Sequence, residues 1–402
     1  MKKLKLNTGL TLVLKKKQTE TVTIQATVKV GSNNEDERIN GISHFIEHML
    51  FEGTKKRANS RIISNEIESI GGELNAYTSN ERTCFYVKVP KKYQDKALDI
   101  ISDIIQNPLF NEKNVEKERK IILKEINLHK DEPRFHQWIL FSSALFKKHP
   151  ARLATYGTVE AVKSMTRKDL LAYYHNYYIP NNIILSIIGN FNSNIINNVK
   201  SKFKNFKFSK SPKLKSIVEP KQKKTTKKEK RKLLSSYVVF GYKTPKRISR
   251  DSYILDVIKA ILGRGQSGKI FDEVRNKRGL AYEVGVHHEP SIDHGFFAIY
   301  MNTDKKNIQK IIDLVLKEFN NLKNLTLNEL NEAKGFLTGH HILDNEDTRE
   351  LADELGYWQS IKDAKLFNNY IKEINKVTKK EIQSTAKKYL TKNYALAVIE
   401  QT

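Results

Sequence analysis

One short segment near the middle of the chain, residues 221–232, has a composition that does not suit a hydrophobic core. Eight of its twelve residues are lysine or arginine, and none is apolar. Because like charges at this density repel one another and stay hydrated, the segment is predicted to be solvated. The 402-residue chain therefore divides into an N-terminal domain at 1–210, a basic linker at 211–232 and a C-terminal domain at 233–402.

Both halves show strand and helix patterns in alternation. In the first half, residues 22–28 alternate at period two, and residues 42–51 and 112–129 have helical patterns. In the second half, strands are predicted at 236–242, 283–289, 296–302 and 395–400, with helices at 252–261, 306–322 and 327–339. Two halves of similar size that each mix strands and helices indicate a duplicated α/β unit, although no sharp sequence repeat accompanies it.

The chain carries 71 lysine and arginine residues against 45 acidic ones, which gives a formal charge of +26. Such an excess favours acidic partners, but a generally lysine-rich composition explains it without any partner. A nucleic-acid-binding arm would need aromatic side chains among the lysines of 221–232 to stack on bases, and that segment has none. Nucleic acid is therefore not predicted as the primary partner.

The one cysteine, Cys84, excludes an intramolecular disulfide bond and a zinc site built from several thiolates. It lies in a Tyr- and Phe-containing strand, which predicts a buried packing residue. The first residues lack the apolar stretch of a signal peptide, and no run approaches the roughly 20 apolar residues of a membrane span. The sequence thus predicts a cytoplasmic protein without a membrane span.

The strongest local motif is an H-x-x-E-H sequence, which places His44, Glu47 and His48 on one predicted helix. Positions i and i+4 of a helix lie on the same face, so both imidazoles can reach one metal ion. Zinc held in this way lowers the pKa of a bound water to about 7, and a nearby carboxylate can then accept the proton. Glu47 is the predicted base in this inverted zinc-peptidase motif.

A catalytic zinc ion usually has three protein ligands, so the motif needs a third. The predicted helix at 112–129 offers Glu118 and Glu125, which are seven residues apart and therefore share one face. Ile121 and Ile122 between them are predicted to face the core. Two carboxylates on a half-buried face are unusual unless a cation lies opposite, and either carboxylate can supply the third ligand.

The sequence around the motif, residues 41–54, closely resembles the pitrilysin/insulinase-type zinc peptidases. Within that family it looks most like the short-chain group that includes the mitochondrial processing peptidase. Residues 118–125 resemble the two-glutamate helix of the family. This resemblance covers nearly the whole chain, and it implies that Glu125 is the third zinc ligand, that Glu118 orients the site, and that each chain binds one Zn²⁺.

Further matches imply where a substrate would bind. Residues 71–76 resemble the turn and edge strand along which family members lay an extended peptide, which assigns substrate binding to Asn75 and Ala76. A second matching segment contains Arg275 and Tyr282, which in the family reach the substrate at the zinc. Such side chains are suitable donors for the oxyanion of an attacked carbonyl. Without the resemblance, an Arg in a surface ion pair and a Tyr in a core would be the simpler interpretation.

The resemblance also implies the architecture. It predicts two related α/β (α+β) domains, each a largely antiparallel sheet with helices packed on it, that face each other as in a clamshell. Members of this length pair with a second chain, so a homodimer or a heterodimer with a related chain is expected. Substrates would then be unfolded peptides or short protein segments, because a closed chamber excludes folded proteins.

The sequence therefore predicts a zinc metalloendopeptidase. The alternative is a non-catalytic scaffold or peptide-binding subunit of a processing-peptidase-like complex. Such subunits tend to lose zinc ligands, whereas this chain keeps all of them. The pairs His287-His288 and His340-His341 are not predicted to form a second metal site, because adjacent residues do not face one point.

Overall fold

The computed structural model describes residues 1–210 and 217–402, and the chain divides into two compact units. The first unit comprises Met1–Asn127, Leu153–Ser216 and Leu343–Phe367, and the second comprises Leu128–Arg152, Ile217–Ile342 and Asn368–Thr402. Each unit is thus built mainly from one half of the sequence and receives one segment from the other half. The two-domain α/β organisation is confirmed, but the sequence did not predict this exchange of segments.

The first unit contains a six-stranded sheet. Its strands are β1 (Lys2–Lys5), β2 (Thr11–Lys16), β3 (Thr21–Val28), β4 (Glu73–Thr78), β5 (Thr83–Pro90) and β6 (Ile183–Gly189). They lie in the order β1-β2-β6-β3-β5-β4, and every neighbouring pair is antiparallel except β2 and β6. Cys84 is buried in β5, as predicted.

The second unit contains a five-stranded sheet. Its strands are β7 (Thr225–Arg231), β8 (Ser236–Lys243), β9 (Glu283–Pro290), β10 (Gly295–Thr303) and β11 (Ala395–Gln401). Their order, β7-β11-β8-β10-β9, repeats the order β2-β6-β3-β5-β4 of the first sheet, with one parallel pair at the same place. The predicted duplication is therefore present in the topology, although the sequence shows no sharp repeat.

Helices cover these sheets and include the predicted ones. The first half of the sequence contains α1 (Ile42–Phe51), α2 (Ser60–Glu68), α3 (Gln94–Gln106), α4 (Glu112–Asp131), α5 (Pro133–Leu145), α6 (Val159–Ser164), α7 (Arg167–Tyr177) and α8 (Ile195–Lys202). The second half contains α9 (Arg250–Gly263), α10 (Lys269–Phe271), α11 (Ile308–Asn321), α12 (Leu327–Asp344), α13 (Thr348–Ile361), α14 (Leu366–Asn375) and α15 (Lys379–Tyr389). Among the described residues, no helix has both the length and the apolar character needed to cross a membrane.

The prediction of a solvated linker at 211–232 is wrong for residues 225–231, which form strand β7. Residues 211–216 lie outside the described residues. Strand β7 pairs in parallel with β11 at the edge of the second sheet, and its three lysines are all exposed. An edge strand needs backbone hydrogen bonds on one side only, and lysines on it discourage pairing on the other side. The composition therefore predicted correctly that the lysine side chains are solvated. The further inference that this backbone forms no strand was wrong.

Helix α13, which belongs to the second half of the sequence, packs on the first sheet. The alternating side chains of β3 are buried on both faces, with Val22 and Ile24 in the main core of the unit. On the other face, the Thr23 hydroxyl lies 2.8 Å from the Thr348 hydroxyl, and the Gln25 amide donates to Asp353 at 2.9 Å. This face is polar and yet buried because α13 supplies its hydrogen-bonding partners.

Helix α5 makes the reciprocal contact and packs on the second sheet. Its buried side chains, such as Leu140 and Phe141, form one apolar cluster with Val239 of β8 and Ala397 of β11. The small strand residues allow close approach of the helix, and the burial of large side chains against them stabilises the unit.

A buried ion cluster joins the elements of the second unit. Asp256 on α9 accepts hydrogen bonds from Arg247 at 2.7 and 3.2 Å, from His288 on β9 at 2.8 Å, and from Tyr370 on α14 at 3.1 Å. Burial raises the pKa of Asp256, but the charge of Arg247 and the hydrogen bond with His288 outweigh it, so this pKa lies well below its usual value. Burial lowers the pKa of His288. The ionised carboxylate is therefore the form that stabilises the fold.

We expect Asp256→Asn to lower the free energy of unfolding of the second unit by about 3 kcal/mol, because it removes the carboxylate that compensates the buried charge of Arg247. Urea unfolding of both proteins at pH 7 measures this difference. The control is Asp304→Asn, which changes an exposed aspartate of the same unit. Equal urea midpoints for Asp256→Asn and the wild type would contradict the stabilising role of this cluster.

The same carboxylate predicts a pH dependence. Since the pKa of Asp256 is lower in the folded state than the value of about 3.9 in an unfolded chain, its contribution is complete above that value. It is lost progressively as the pH falls below about 3.9 towards the lower pKa of the folded state, because over this range the unfolded chain binds a proton that the folded chain does not. Below pH 4 the wild type should lose stability more steeply than Asp256→Asn.

Candidate metal centre

Helix α1 carries the H-x-x-E-H motif, and a buried carboxylate fixes its first turn. Glu35 is 4% exposed and accepts hydrogen bonds from the backbone N–H groups of Gly41 at 2.7 Å and Ser43 at 2.9 Å, and from the Asn40 amide at 3.1 Å. The N–H groups of a first helical turn have no partner within the helix, so Glu35 supplies one. Sequence reasoning missed this residue, because a cap that lies several residues before the helix has no regular spacing.

The three predicted metal ligands converge between α1 and α4. The imidazole rings of His44 and His48 lie on one face of α1, with their centroids 4.7 Å apart. The Glu125 carboxylate of α4 faces both rings, at 3.6 Å from His44 Nε2 and 3.7 Å from His48 Nε2. One ligand atom of each residue lies within 4.8 Å of the other two, and all three residues are half-buried. The site is thus shielded from solvent only in part.

Glu118 was the other candidate for the third metal ligand. It does not face the same side of His48 as Glu125 but contacts the ring nitrogen Nδ1. Its Oε2 lies 2.9 Å from His48 Nδ1, and its side chain is 6% exposed. A proton on Nδ1 leaves the lone pair of His48 on Nε2, which faces Glu125. Burial lowers the pKa of His48, but the hydrogen bond with Glu118 and the nearby carboxylate charges outweigh it, so this pKa is raised. The carboxylates around His48 therefore favour a positive charge at this position.

Glu47 lies beside this group and is held from a strand. The hydroxyl of Thr78, the last residue of β4, donates a hydrogen bond to Glu47 Oε2. Burial raises the pKa of Glu47 to about 7, against the opposing effects of the Thr78 hydrogen bond and of His48. Sequence reasoning missed Thr78, because nothing in its strand pattern shows which helix its hydroxyl meets.

The donor set fits zinc. Two imidazole nitrogens and one carboxylate oxygen are the usual protein ligands of a catalytic zinc ion, and the carboxylate hydrogen-bonded to His48 Nδ1 matches the usual support of a metal-binding imidazole. A divalent cation would also offset the repulsion among Glu47, Glu118 and Glu125. The arrangement therefore suits a zinc ion with a further position left for water or substrate.

A second group of potential ligands in the second unit does not fit a metal. Ligand atoms of His149, Asp293 and His294 also lie within 4.8 Å of one another. However, His149 Nδ1 accepts the backbone N–H of Ala151 at 3.1 Å, so the neutral ring carries its proton on Nε2, which donates to Asp293 at 3.2 Å. That nitrogen has no lone pair for a cation. This group is a hydrogen-bonded contact between two loops.

The predicted substrate-binding residues Asn75 and Ala76 lie in β4, the edge strand of the first sheet. The Asn75 side-chain oxygen accepts the backbone N–H of Ala76 at 2.8 Å. The N–H of Ala76 is therefore already hydrogen-bonded by the neighbouring side chain. A peptide that added to β4 as a further strand would replace this bond with one to its own backbone carbonyl.

Arg275 and Tyr282 lie in the second unit, and the structure brings them together. Arg275 is in a π-helical turn, Asp272–Asn276, and its guanidinium lies 5.0 Å from the ring centroids of Phe271 and Tyr282. The Tyr282 residue is 74% exposed, so it is not the core residue that the simpler interpretation predicted. The cation–π contact orders this exposed phenol.

Two imidazoles and a half-buried glutamate on one helix, facing a carboxylate on a second helix, form the kind of donor set that zinc peptidases with the inverted motif use. The chain belongs to the insulinase family of peptidases, which confirms the predicted family. The profile described as "Insulinase (Peptidase family M16)" matches residues 11–159, and that of the "Peptidase M16 inactive domain" matches residues 164–337. The motif-bearing helix α1 and Glu125 both fall within the first match.

Related proteins are named as zinc proteases. The chain is 30% identical to "Uncharacterized zinc protease YmxG" of Bacillus subtilis over 395 residues, which cover 97% of this chain and 96% of the relative. It is 28% identical to "Uncharacterized zinc protease SCO5738" of Streptomyces coelicolor over 380 residues, covering 92% and 83% of the two chains.

Solved structures share the fold along almost the whole chain. A protease from Helicobacter pylori has a TM-score of 0.93 at 23% identity, with 99% of each chain covered. A structure described as a peptidase M16 inactive domain from Pseudomonas fluorescens has a TM-score of 0.90 at 18% identity, covering 100% of this chain and 98% of the other. At these identities the likeness establishes the two-unit α/β fold.

We expect Glu35→Ala to lower the free energy of unfolding of the first unit by about 3 kcal/mol, because the N–H groups of Gly41 and Ser43 at the start of α1 lose their acceptor. Thermal and urea unfolding measure the change. Glu37→Ala, which removes an exposed carboxylate two residues away, is the matched control. If the two variants were equally stable, Glu35 would not anchor the helix.

Proposed function

We propose that the chain is a zinc-dependent endopeptidase that cleaves unfolded peptides or short protein segments. The observation that carries this proposal is the convergence of His44, His48 and Glu125 within 4.8 Å beside the half-buried Glu47. Membership of the insulinase family and the names of the relatives support a zinc protease. The endopeptidase reaction and the substrate class are inferred from the site.

Zinc would be held by His44 and His48 through Nε2 and by Glu125 through a carboxylate oxygen, with one ion per chain. When bound, zinc lowers the pKa of a water molecule and polarises the carbonyl of the scissile bond. The carboxylate of Glu118 fixes the ring orientation of His48 from the Nδ1 side.

Glu47 is the general base of the proposed reaction. It is half-buried and lies next to His48 on α1, so it is placed to reach a water molecule that attacks the peptide carbonyl. One of its oxygens is held by the Thr78 hydroxyl, which leaves the other to accept the proton of the water. The protonated Glu47 then donates this proton to the leaving amine, which completes hydrolysis without a covalent intermediate.

The edge strand β4 supports an extended substrate. Its inner side pairs with β5, and no strand among the described residues pairs with its outer side. A peptide that adds to such an edge must be extended, which excludes folded segments, and main-chain hydrogen bonds impose little sequence preference. Asn75 and Ala76 would contact the peptide backbone there. The roles of Arg275 and Tyr282, the enclosing chamber and the pairing with a second chain stay predictions from the resemblance.

We expect Glu47→Gln to reduce peptide cleavage by about 100-fold or more while leaving one zinc ion bound per chain, because it removes the base and keeps the ligands. The experiment uses a quenched library of unstructured peptides, with zinc quantified in both proteins. A folded wild type that binds no supplied zinc would contradict the proposal. A zinc-loaded wild type no more active than Glu47→Gln would favour the alternative of a non-catalytic scaffold or peptide-binding subunit.

We expect Glu118→Gln to weaken zinc binding by about 10- to 100-fold, because the amide is a poorer acceptor for the Nδ1 proton of His48. Competition with a chromogenic chelator measures the affinity. Glu116→Gln is the control, since Glu116 is on the same helix but pairs with Arg119 at the surface. Equal affinities for the two variants would show that Glu118 does not support the site.

A further inference from the structure

The β4–β5 hairpin touches the proposed base on one face and helix α13 on the other. Thr78 at the end of β4 donates to Glu47. Its neighbour Tyr77 projects to the opposite face of the sheet, as successive strand residues do, and its hydroxyl donates to Asp353 on α13. Two adjacent residues therefore link the catalytic side of the hairpin to a helix from the second half of the sequence.

Arg82 fixes the turn of the same hairpin. Its Nε donates to the Tyr77 hydroxyl at 2.8 Å, and its Nη2 donates to Asp353 Oδ2 at 3.0 Å. The guanidinium also lies 4.7 Å from the ring centroid of Tyr357 on α13. The backbone carbonyl of Arg82 accepts the N–H of Ser79 at 2.8 Å, which closes the turn. The side chains of Arg82 and Asp353 are largely buried, at 15% and 22% exposure.

Asp353 thus accepts hydrogen bonds from both ends of the hairpin turn and from Gln25 in the middle of the sheet. This geometry ties the tip of the hairpin to the sheet through one carboxylate. Because Tyr77 and Thr78 share a peptide unit, a shift of the tip moves the Thr78 hydroxyl away from Glu47. A displacement of about 1 Å at a reacting group can cost about 100-fold in rate.

We propose that Asp353 is a positioning residue of the active site: through Tyr77 and Arg82 it holds the β4–β5 hairpin so that Thr78 orients the Glu47 carboxylate. This inference rests on the proposed peptidase function and adds to it two residues, Thr78 and Asp353, that are outside the zinc-binding motif. It also makes the site dependent on a helix supplied by the second half of the sequence.

Three full-length variants test the inference by steady-state kinetics on a quenched peptide. Thr78→Val should lower kcat by about 10- to 100-fold with little change in KM, and Thr78→Ser should restore most of it, because the serine hydroxyl can donate the same hydrogen bond. Asp353→Asn should lower kcat by about 10-fold, again with little change in KM. Bound zinc should stay unchanged in all three variants.

Lys88→Met is the matched control. Lys88 on β5 pairs with Asp347 at the start of α13 at 2.6 Å, so it joins the same helix to the same hairpin but away from the tip. Its kcat should equal that of the wild type. If Lys88→Met and Asp353→Asn lowered kcat equally, the helix would act through general stability and the positioning role would be overturned.

Hydrogen exchange provides a readout that does not depend on activity. The amides of Ser79, Glu81 and Arg82 are all hydrogen-bonded within the turn, and their exchange should be faster in Asp353→Asn but not in Lys88→Met. Unchanged exchange in Asp353→Asn would overturn the inference. An inactive, zinc-loaded wild type would overturn the proposed function and the catalytic role of Asp353 with it, whereas the exchange would still decide whether Asp353 holds the hairpin.

Discussion

The contact between α1 and α4 brings several ionisable side chains into one half-buried volume, and the organisation of the first unit depends on how their charges are compensated. Burying a carboxylate is costly unless it is hydrogen-bonded or paired. Glu118 is held by His48 and Lys117, and Glu47 is held by Thr78. Glu125 faces the Nε2 atoms of both histidines, where a divalent cation would complete the set. A metal ion bound there would compensate the charges of this packing as well as supply chemistry.

The second unit repeats the topology but compensates its buried acid differently. Asp256 lies on α9, which follows β8 as α1 follows β3, and it is bonded to an edge-strand residue, His288, as Glu47 is bonded to Thr78. Here the cation is the guanidinium of Arg247, which is covalently part of the chain. A fixed cation leaves no coordination position for water or substrate, and this agrees with the match of the second half to an inactive-domain profile.

Local patterns predicted the parts of this structure that depend on local physics. The i, i+4 spacing on α1, the shared face of the glutamates on α4 and the main strands of both sheets follow from periodicity. The pattern of β3 predicted a strand, but not that Thr23 and Gln25 are buried, because their partners lie 325 and 328 residues away. Glu35, Thr78 and Asp353 were missed because each acts through a contact that follows no regular spacing in the sequence.

The exchange of α5 and α13 has a consequence for how the two units form. Each sheet is covered by a helix from the other half of the sequence, and the two exchanged helices occupy equivalent places in the order of elements. Two separate chains that each carried one half would have to trade this helix, as in a domain-swapped dimer. On a single chain the trade is intramolecular, which raises the effective concentration of each helix for its sheet. Neither half of the sequence therefore covers its own sheet completely without the other.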